Sequence, residues 1–500
     1  MWSSSSIENL ITREPKFEDI TSSLQAIAKL PKGIVSETKR VIALAREFTD
    51  REVRPYALDL DRRMFEEPDY LPWEFVRKAN EWGLYSKWLP KAVGGEGINL
   101  PSVAIFLEEV ASVCLSMANL IGVHYLGVVS LSASFNMRLF KKICAQTVAG
   151  YRSGQPCLIS LAITEPGAGT DVEETELADK GDITCHAEKV KDGYILNGTK
   201  VFISNGPLST WHIVIAYGDL KRPSESMVML AVKTGTQGFS FGRQERKMGQ
   251  KACPASELVF KDCFISEEHV CIDPDQMKHT PYSVREISQR IIDFVLSPSR
   301  GGVGAFGAGA ARGAYESALE FASRTKVTGR LLINHEWAQC MLAEMYKNVI
   351  LARLSYLESS YANSLHGSFK PLLSKPMYII NRYTPKLFLE KIFSSLLDRS
   401  SATRRARKQN LENQTVSAQQ RTSGWASLSK FSATDLGVKN CHLALEMMGQ
   451  AGLRHDRRAE KHYRDAKLLQ IYEGTNQLNR LNVFKNLIGR SFPQATVFDE

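Results

Sequence analysis

The chain has 500 residues, of which 43% are hydrophobic and 23% charged, and its formal net charge is +9. This length allows about two to four domains with ample buried core, and the composition is typical of a globular protein. The modest positive charge favours an anionic ligand such as a nucleotide. Because no basic stripe is interleaved with aromatic residues, no nucleic-acid partner is expected.

Cysteine usage and the chain ends predict a reducing compartment and no targeting segment. The nine cysteines form no CxxC pair and accompany no histidine cluster, so neither a metal site nor a disulfide framework is expected. We expect no apolar run that reaches the ~18 residues needed to cross a bilayer. The opening segment is acidic and lacks an apolar signal core, and the final Phe-Asp-Glu is no peroxisomal signal. We expect a cytoplasmic location, with the mitochondrial matrix left open.

Hydrophobic periodicity divides the chain into a helical part, a β part and a second helical part. We expect an N-terminal extension over residues 1–30 and an N-terminal α-helical domain over 31–156. Within that domain, Ser36 is predicted to be a helix N-cap, and Pro101 is predicted to lie in the first turn of another helix.

The middle of the chain, 157–266, is predicted to be a β-barrel or β-sandwich domain. Its hydrophobic period is two, and its apolar segments are separated by turn residues. The strongest tight-turn signals are Asp192-Gly193 and Asn197-Gly198. The six expected strands are 158–164, 184–190, 194–204, 211–217, 227–232 and 258–264.

The C-terminal part, 267–500, is predicted to be a four-helix bundle, which makes the fold class α+β. Its main helical segments are expected at 311–322, 337–362, 425–448 and 460–472. The glycine-rich stretch 301–314 looks like a dinucleotide-binding loop, but no apolar strand leads into it. Its small residues are therefore expected to let two helices pack closely.

Glu473 is a candidate catalytic carboxylate. It ends an apolar run in the stretch RDAKLLQIYEGTNQLNR and is followed by Gly474 and Thr475. Partial desolvation would raise its pKa and make it a better proton acceptor. Gly474 would let a flat ligand approach the backbone, and Thr475 and Gln477 offer hydrogen bonds beside it. An ordinary helix terminus would show the same pattern, so this motif alone does not decide the function.

Two further motifs carry the groups that a flat heterocycle needs. ITEPGAGTDV, at 163–172, offers exposed backbone and the hydroxyls of Thr164 and Thr170. LNGTKVFISNG, at 196–206, offers the aromatic ring of Phe202 and the hydroxyl of Ser204. Together these groups would hold a heterocycle by stacking and by hydrogen bonds to its edge.

With these three motifs in this order, the chain resembles the acyl-CoA dehydrogenase family. The resemblance covers roughly residues 31–490 and includes RLLINHEWAQCMLAEM at 330–345. It implies that FAD lies between the β domain and the C-terminal bundle. It implies flavin contacts at Leu161, Ile163, Thr164, Thr170, Phe202, Ile203 and Ser204, and contacts to the adenine-nucleotide side at Gly474, Thr475, Asn476 and Gln477.

The resemblance also implies a reaction. Glu473 matches the catalytic base, which removes the α-proton of an acyl-CoA thioester while the β-hydrogen leaves as hydride to the flavin; Thr170 and Arg300 match substrate-side positions. A surface ion pair is the alternative role for Arg300. The product would be a trans-2-enoyl-CoA, as in fatty-acid β-oxidation. An electron-transfer flavoprotein would accept the electrons, and a homodimer or homotetramer is expected.

Three positions depart from the family pattern. Thr325 stands where many relatives have an arginine that contacts the FAD diphosphate of the neighbouring subunit, and Thr328 replaces an aromatic residue. Glu446 replaces a glutamine, and a carboxylate there would repel phosphate. These departures leave open how strongly FAD is held across a subunit interface.

Two inserts, 266–297 and 366–424, also set the chain apart from the family. The second contains an apolar helix followed by Arg404, Arg405, Arg407 and Lys408. This composition is typical of a segment that contacts a membrane surface or a protein partner, here over 366–408. A basic loop after a helix packed on the bundle would show the same composition.

Three functions are compatible with these observations. The presence of Glu473 in its motif favours an acyl-CoA dehydrogenase. An acyl-CoA oxidase would differ mainly in oxygen access, and a flavin-binding or assembly subunit would keep the fold without the reaction. Acyl chain length and branching depend on how helices line the pocket, which the sequence does not specify.

Overall fold

The computed structural model describes residues 22–489 and 494–498. The N-terminal part is helical, as predicted, although residues 1–21 of the expected extension lie outside the described residues. One helix begins at Pro101, as expected. Ser36 is not an N-cap, because its helix begins three residues earlier and the Ser36 hydroxyl donates to the Gly33 carbonyl at 2.9 Å. The helices are α1 (Ser22–Lys29), α2 (Gly33–Phe48), α3 (Ala57–Glu66), α4 (Trp73–Glu81), α5 (Pro101–Ala111), α6 (Leu115–Ala133) and α7 (Met137–Ser153).

The middle part is one eight-stranded mixed sheet in the order β6-β7-β3-β2-β4-β5-β8, with β1 paired to β4. All six expected strands are present, whereas β6 and β8 were not predicted, because β6 is largely exposed and does not alternate and β8 has three residues. A short helix, α8 (Thr175–Ala178), follows β1. The strands are β1 (Ile159–Ala162), β2 (His186–Val190), β3 (Gly193–Ser204), β4 (Trp211–Tyr217), β5 (Met227–Lys233), β6 (Phe239–Gln244), β7 (Ala255–Ser266) and β8 (Val270–Ile272).

Of the two predicted tight turns, one is confirmed and one is wrong. Asp192, with φ of 65°, lies in the turn that pairs Val190 with Gly193. Asn197-Gly198 lies inside β3 instead. The register of β3 against β7 shifts there, and Gly198 has φ of 131°, which marks an irregularity of the strand and not a hairpin.

The C-terminal part is built on three long helices, α10, α11 and α16. The glycine-rich stretch 301–314 lies inside α10 and packs against its neighbours, as predicted. A Cβ at Gly307 would lie 2.6 Å from the backbone of Ala433 on α16, so only glycine permits this approach. The helices are α9 (Pro274–Met277), α10 (Val284–Arg324), α11 (Glu336–His366), α16 (Val416–Met448), α17 (Ala459–Leu468) and α18 (Asn476–Val483), with the two-residue strands β9 (Lys326–Val327) and β10 (Arg330–Leu331) after α10.

Helix α10 is far longer than the predicted segment 311–322. A capping box between Ser283 and Glu286 begins it, so the latter half of the 266–297 insert is the start of this helix. The helix continues through Pro298, which has no N–H to donate to the Phe294 carbonyl. The hydroxyl of Ser368 donates to that carbonyl instead, at 2.8 Å.

The second insert is helical and lies mainly on the N-terminal part, so its interpretation as a basic loop on the bundle is wrong. The side chain of Asn381 donates to the Gly97 carbonyl at 2.7 Å. The Arg407 guanidinium donates to the carbonyls of Ser134 and Cys271, at 2.9 and 3.0 Å. The insert contains α12 (Lys370–Leu373), α13 (Lys375–Tyr383), α14 (Lys386–Leu397) and α15 (Ser400–Arg407).

Helix α6 is the single described helix that is long and apolar enough to cross a membrane, by length and composition. This finding contradicts the expectation that no apolar run reaches that length. However, 78% of its apolar window is buried inside the protein, and a core helix passes the same test.

Candidate active site

A cavity of about 400 Å³ lies where the sheet meets the two helical parts. Its walls are mostly apolar and come from α5, α6, α10, the end of β3 and the turn between α17 and α18. Ten of the predicted site residues line it: Leu161, Ile163, Thr164, Thr170, Phe202, Ile203, Ser204, Glu473, Gly474 and Thr475. Segments that are more than 250 residues apart in sequence therefore meet at one chamber.

Three predicted site residues do not line the cavity. Asn476 is buried at the start of α18, where its side chain accepts from Lys430 Nζ at 2.7 Å. Gln477 is exposed. Arg300 lies behind Glu473, 1% exposed.

The turn that carries Glu473 has an unusual backbone. Glu473 and Gly474 have φ of 56° and 76°, and Thr475 caps α18 by accepting from the Leu478 N–H at 3.2 Å. A glutamate in the left-handed region costs about 1–2 kcal/mol, so surrounding contacts must hold it there. Arg300 Nε donates to the Glu473 carbonyl at 3.1 Å and supplies one such contact.

The Glu473 carboxylate is poised as a base. Its Oε2 is buried and has no hydrogen-bond partner among the described residues. Burial, followed by repulsion from Glu173, raises the pKa of Glu473 to about 7, with Arg300 and the Ser299 hydroxyl opposing the shift. A carboxylate with a pKa near neutrality is the type of group that accepts a proton in general base catalysis.

Glu173 is a second carboxylate at the cavity wall, which sequence reasoning missed. Its Oε2 lies 3.0 Å from Arg300 Nη2, in a buried ion pair. Burial raises the pKa of Glu173, and Arg300 opposes that shift. A Cβ on residue 474 would lie 2.6 Å from Glu173 Oε2, so a side chain there would displace this carboxylate from its place beside the turn.

Lys430, on α16, is a buried amine beneath the same turn and was also missed. Its Nζ donates to the Gly474 carbonyl and to Asn476 Oδ1, both at 2.7 Å. Burial lowers the pKa of Lys430 to about 7, while Glu173 opposes the shift. The turn that carries the base is therefore held from behind by two basic side chains, Arg300 and Lys430.

The opposite wall comes from β1 and β3. The Val201 N–H donates to the Thr164 carbonyl at 2.9 Å and joins the two motifs that carry the predicted flavin contacts. Beneath them, Lys200 and Glu165 form a fully buried ion pair with Nζ to Oε1 of 2.7 Å. Phe202 has φ of 59° and is 59% exposed, so this strained backbone holds an aromatic ring out of the core.

The three positions that depart from the family pattern lie outside the cavity. Thr325 directly follows α10 as its C-cap, and Thr328 lies in the exposed turn between β9 and β10. Glu446 is exposed near the end of α16.

One group of described residues, Asp61, His455 and Glu460, has the spacing of metal ligands. A guanidinium already binds its two carboxylates. Arg464 Nη2 lies 2.7 Å from Asp61 Oδ2, and Arg464 Nε lies 2.6 Å from Glu460 Oε2.

Family models match most of the chain in order. The model for the acyl-CoA dehydrogenase N-terminal domain matches residues 36–136, the middle-domain model matches 160–263, and the C-terminal-domain model matches 290–370 and 400–488. The chain belongs to the acyl-CoA dehydrogenase family. The predicted fold, with helical N- and C-terminal parts around a β domain, is thereby confirmed.

Similar proteins span nearly the whole chain. A protein named probable acyl-CoA dehydrogenase FadE25 from Mycobacterium leprae is 27% identical over 460 residues, which cover 92% of this chain and 96% of the relative. The structure of butyryl-CoA dehydrogenase from Megasphaera elsdenii is 22% identical with a TM-score of 0.68 and covers 90% of this chain and 97% of that chain. A structure described as the electron transferring flavoprotein of Acidaminococcus fermentans is 22% identical with a TM-score of 0.69, over 90% and 98% of the two chains.

The family is FAD-dependent, and two features of the cavity fit a flavin. The exposed Phe202 ring and the hydroxyls of Thr164 and Ser204 lie on one wall, which suits stacking and hydrogen bonding of a flat heterocycle. The Gly474 backbone lies at the same cavity, where the absence of a side chain permits close approach.

Proposed function

We propose that the protein is an FAD-dependent dehydrogenase that converts an acyl-CoA thioester to a trans-2-enoyl-CoA, with Glu473 as the catalytic base. The observation that carries this proposal is the buried, unpartnered Oε2 of Glu473 at the wall of an apolar cavity. The reaction needs a group that removes a proton next to a carbonyl, and a desolvated carboxylate provides it.

The carboxylate of Glu473 does the proton chemistry. With a pKa of about 7, a large fraction is ionised at neutral pH, yet burial leaves it more basic than an exposed glutamate. It takes the proton from the α-carbon and holds it on the carboxyl group. Arg300 orients the Glu473 carboxylate for proton transfer, because its hydrogen bond to the Glu473 carbonyl keeps the backbone in its strained conformation.

Cofactor binding is assigned to both walls of the cavity. Leu161, Ile163, Thr164, Thr170, Phe202, Ile203 and Ser204 would hold the flavin, with Gly474 and Thr475 toward the adenine-nucleotide side. Asn476 and Gln477 lie outside the cavity and are not assigned to its walls. When bound, FAD supplies the hydride acceptor for the β-hydrogen. The apolar walls exclude water from the reacting carbons.

The acyl chain is assigned to the part of the cavity between α5, α6 and α10. Aliphatic side chains dominate this lining, including Leu100 just before α5, Val103 on α5, and Val123 and Leu126 on α6. Burial of each methylene of an acyl chain among them contributes about 0.8 kcal/mol. The lining favours an aliphatic acyl group over a charged or strongly polar one.

An electron-transfer flavoprotein is proposed as the electron acceptor, as the family resemblance implies. The proposed role lies in fatty-acid β-oxidation, and the active form is proposed to be a homodimer or homotetramer. The acyl-CoA oxidase alternative predicts direct consumption of oxygen.

The test is to record the visible flavin spectrum anaerobically while a panel of acyl-CoA esters of different length is added. Bleaching by aliphatic esters is expected, with the enoyl-CoA identified by mass spectrometry. A flavin that no ester bleaches would contradict the dehydrogenase proposal, and failure to take up FAD would favour a non-catalytic subunit. Rapid reoxidation by air with hydrogen peroxide release would identify an oxidase.

A further inference from the structure

The insert between α11 and α16 carries a row of exposed apolar side chains on α13 and α14. They recur at helical spacing, so that 379 and 383 lie on one face of α13, and 388, 392 and 396 on one face of α14. The row, called the insert surface below, consists of Ile379, Tyr383, Leu387, Phe388, Ile392 and Leu396, which are 37% to 80% exposed.

The opposite face of the same helices is fixed to the protein. Tyr378 and Leu389 are 7% and 5% exposed. Lys141 Nζ on α7 lies 2.6 Å from a carboxylate oxygen of Asp398, just after α14. Anchoring on one side and exposure on the other make α13 and α14 amphipathic, with their apolar row directed away from the body of the protein.

The insert also accounts for most of the net positive charge of the chain. Residues 370–412 contain ten Lys and Arg residues and three Asp and Glu residues, a net charge of +7, compared with +9 for all 500 residues. Exposed Lys391 lies within the apolar row, and exposed Arg404 and Arg405 follow on α15.

We propose that the insert surface docks on an anionic phospholipid bilayer. Apolar and aromatic side chains inserted at the headgroup boundary, together with flanking cations attracted to anionic lipids, are the two contributions that bind an amphipathic helix to a membrane. A second copy of the chain is disfavoured as the occupant, since an isologous contact would place one +7 segment against another. An acidic protein surface is the remaining alternative.

The test is sedimentation of the full-length, FAD-loaded protein with vesicles. Sedimentation is expected with vesicles that contain phosphatidylglycerol, and not with phosphatidylcholine alone. Binding should weaken as the salt concentration rises from about 0.1 to 0.5 M, because the Debye length shrinks. No sedimentation with phosphatidylglycerol vesicles would overturn the proposal and would leave an acidic protein as the occupant.

Two variants test the two contributions separately. L387Q/F388Q and K391E/R404E/R405E should each lower the partition coefficient by more than about tenfold. The matched control is L220Q/K221E, which changes an exposed leucine and an exposed lysine in the loop after β4, and should bind like the parent. All three substitution sets are on the surface, and unchanged thermal midpoints would confirm folding. Equal binding by the parent and both insert variants would overturn the proposal.

Discussion

Two glutamates near the cavity, Glu165 and Glu473, are in opposite electrostatic situations. Glu165 lies under the β wall, and its carboxylate accepts from the N–H groups of Thr184 and Cys185 at 2.6 and 2.9 Å and from Lys200 Nζ at 2.7 Å. Glu473 lies across the chamber, and its Oε2 is buried without a hydrogen-bond partner among the described residues. Both carboxylates are desolvated, but only that of Glu165 has hydrogen bonds and an ion pair that offset the cost of desolvation.

The difference separates a structural role from a chemical one. Hydrogen bonds to Glu165 stabilise its ionised form and use its lone pairs, so the group holds β1, β2 and β3 together. Oε2 of Glu473 has no such hydrogen bonds, so its burial favours the protonated form of the carboxyl group. The two basic side chains near it, Arg300 and Lys430, donate to the backbone carbonyls of the turn and leave that oxygen open.

Among the changes that test this comparison, Glu473→Gln should have the largest effect, which is a loss of activity. The amide cannot accept the α-proton, so kcat should fall by about 10²- to 10⁴-fold, while FAD content is retained. Flavin bleaching by acyl-CoA in a stopped-flow instrument measures the loss. Glu188→Gln, at an exposed position on β2, is the matched control and should keep full activity. A fully active Glu473→Gln protein would remove Glu473 from the mechanism.

The corresponding change at Glu165 should affect stability first. Glu165→Gln leaves Lys200 buried without its counter-charge, which costs roughly 3–5 kcal/mol of unfolding free energy. Denaturant unfolding monitored by circular dichroism would measure the loss. The double variant Glu165→Gln/Lys200→Met should recover part of it, because no unpaired charge stays buried. A loss below about 1 kcal/mol would show that the pair is not structural.

The pH dependence of stability provides a third test. The folded-state pKa of Glu473 is about 7, above the ordinary value of 4.5, so folding favours its protonated form. Its contribution to stability is fully present below pH 4.5 and is lost as the pH rises through 7. Glu473→Gln should therefore stabilise the protein by on the order of 2 kcal/mol at pH 8.5 and much less at pH 5. An equal effect at both pH values in denaturant titrations would contradict the raised pKa.

Glu173→Gln should produce the smallest effect, a shift of the pH profile. The change removes the repulsion that raises the pKa of Glu473 and frees the charge of Arg300, and both effects lower that pKa. The pH profile of kcat/KM should move toward acid by about one unit. Glu176→Gln, three residues further along and half exposed, is the control. A shift toward alkaline pH would show that Glu173 positions the turn and does not act by charge.

The sequence predicted the walls of the site better than the charges behind them. Thr164, Phe202 and Glu473 lie in short motifs, where loop residues beside strands and helix ends indicate exposure. Glu165 and Lys200 lie in the same motifs as Thr164 and Phe202, yet their pairing depends on the register of β1 and β3. Glu173 and Lys430 meet at one turn only after distant segments fold together, and no local pattern reports such contacts.

The types of the secondary-structure elements were also more predictable than the residues at which they begin and end. The six predicted strands and the long helices are present, because hydrophobic period reports type. The start of α10 was missed, because Pro298 suggests a boundary unless another group satisfies the Phe294 carbonyl. Ser368 does so from 74 residues away, which no helix signal in the sequence reveals.

The hydrogen bond from Ser368 to Phe294 has a mechanical consequence. Ser368 lies at the beginning of the insert, and the next residue, Phe369, lies at the cavity wall together with Pro298. A displacement of α12 and α13 would therefore reach the chamber within one residue, and it would reach α10 at Phe294, six residues before Arg300. The position of the outer helices and the shape of the chamber are set by one continuous piece of the molecule.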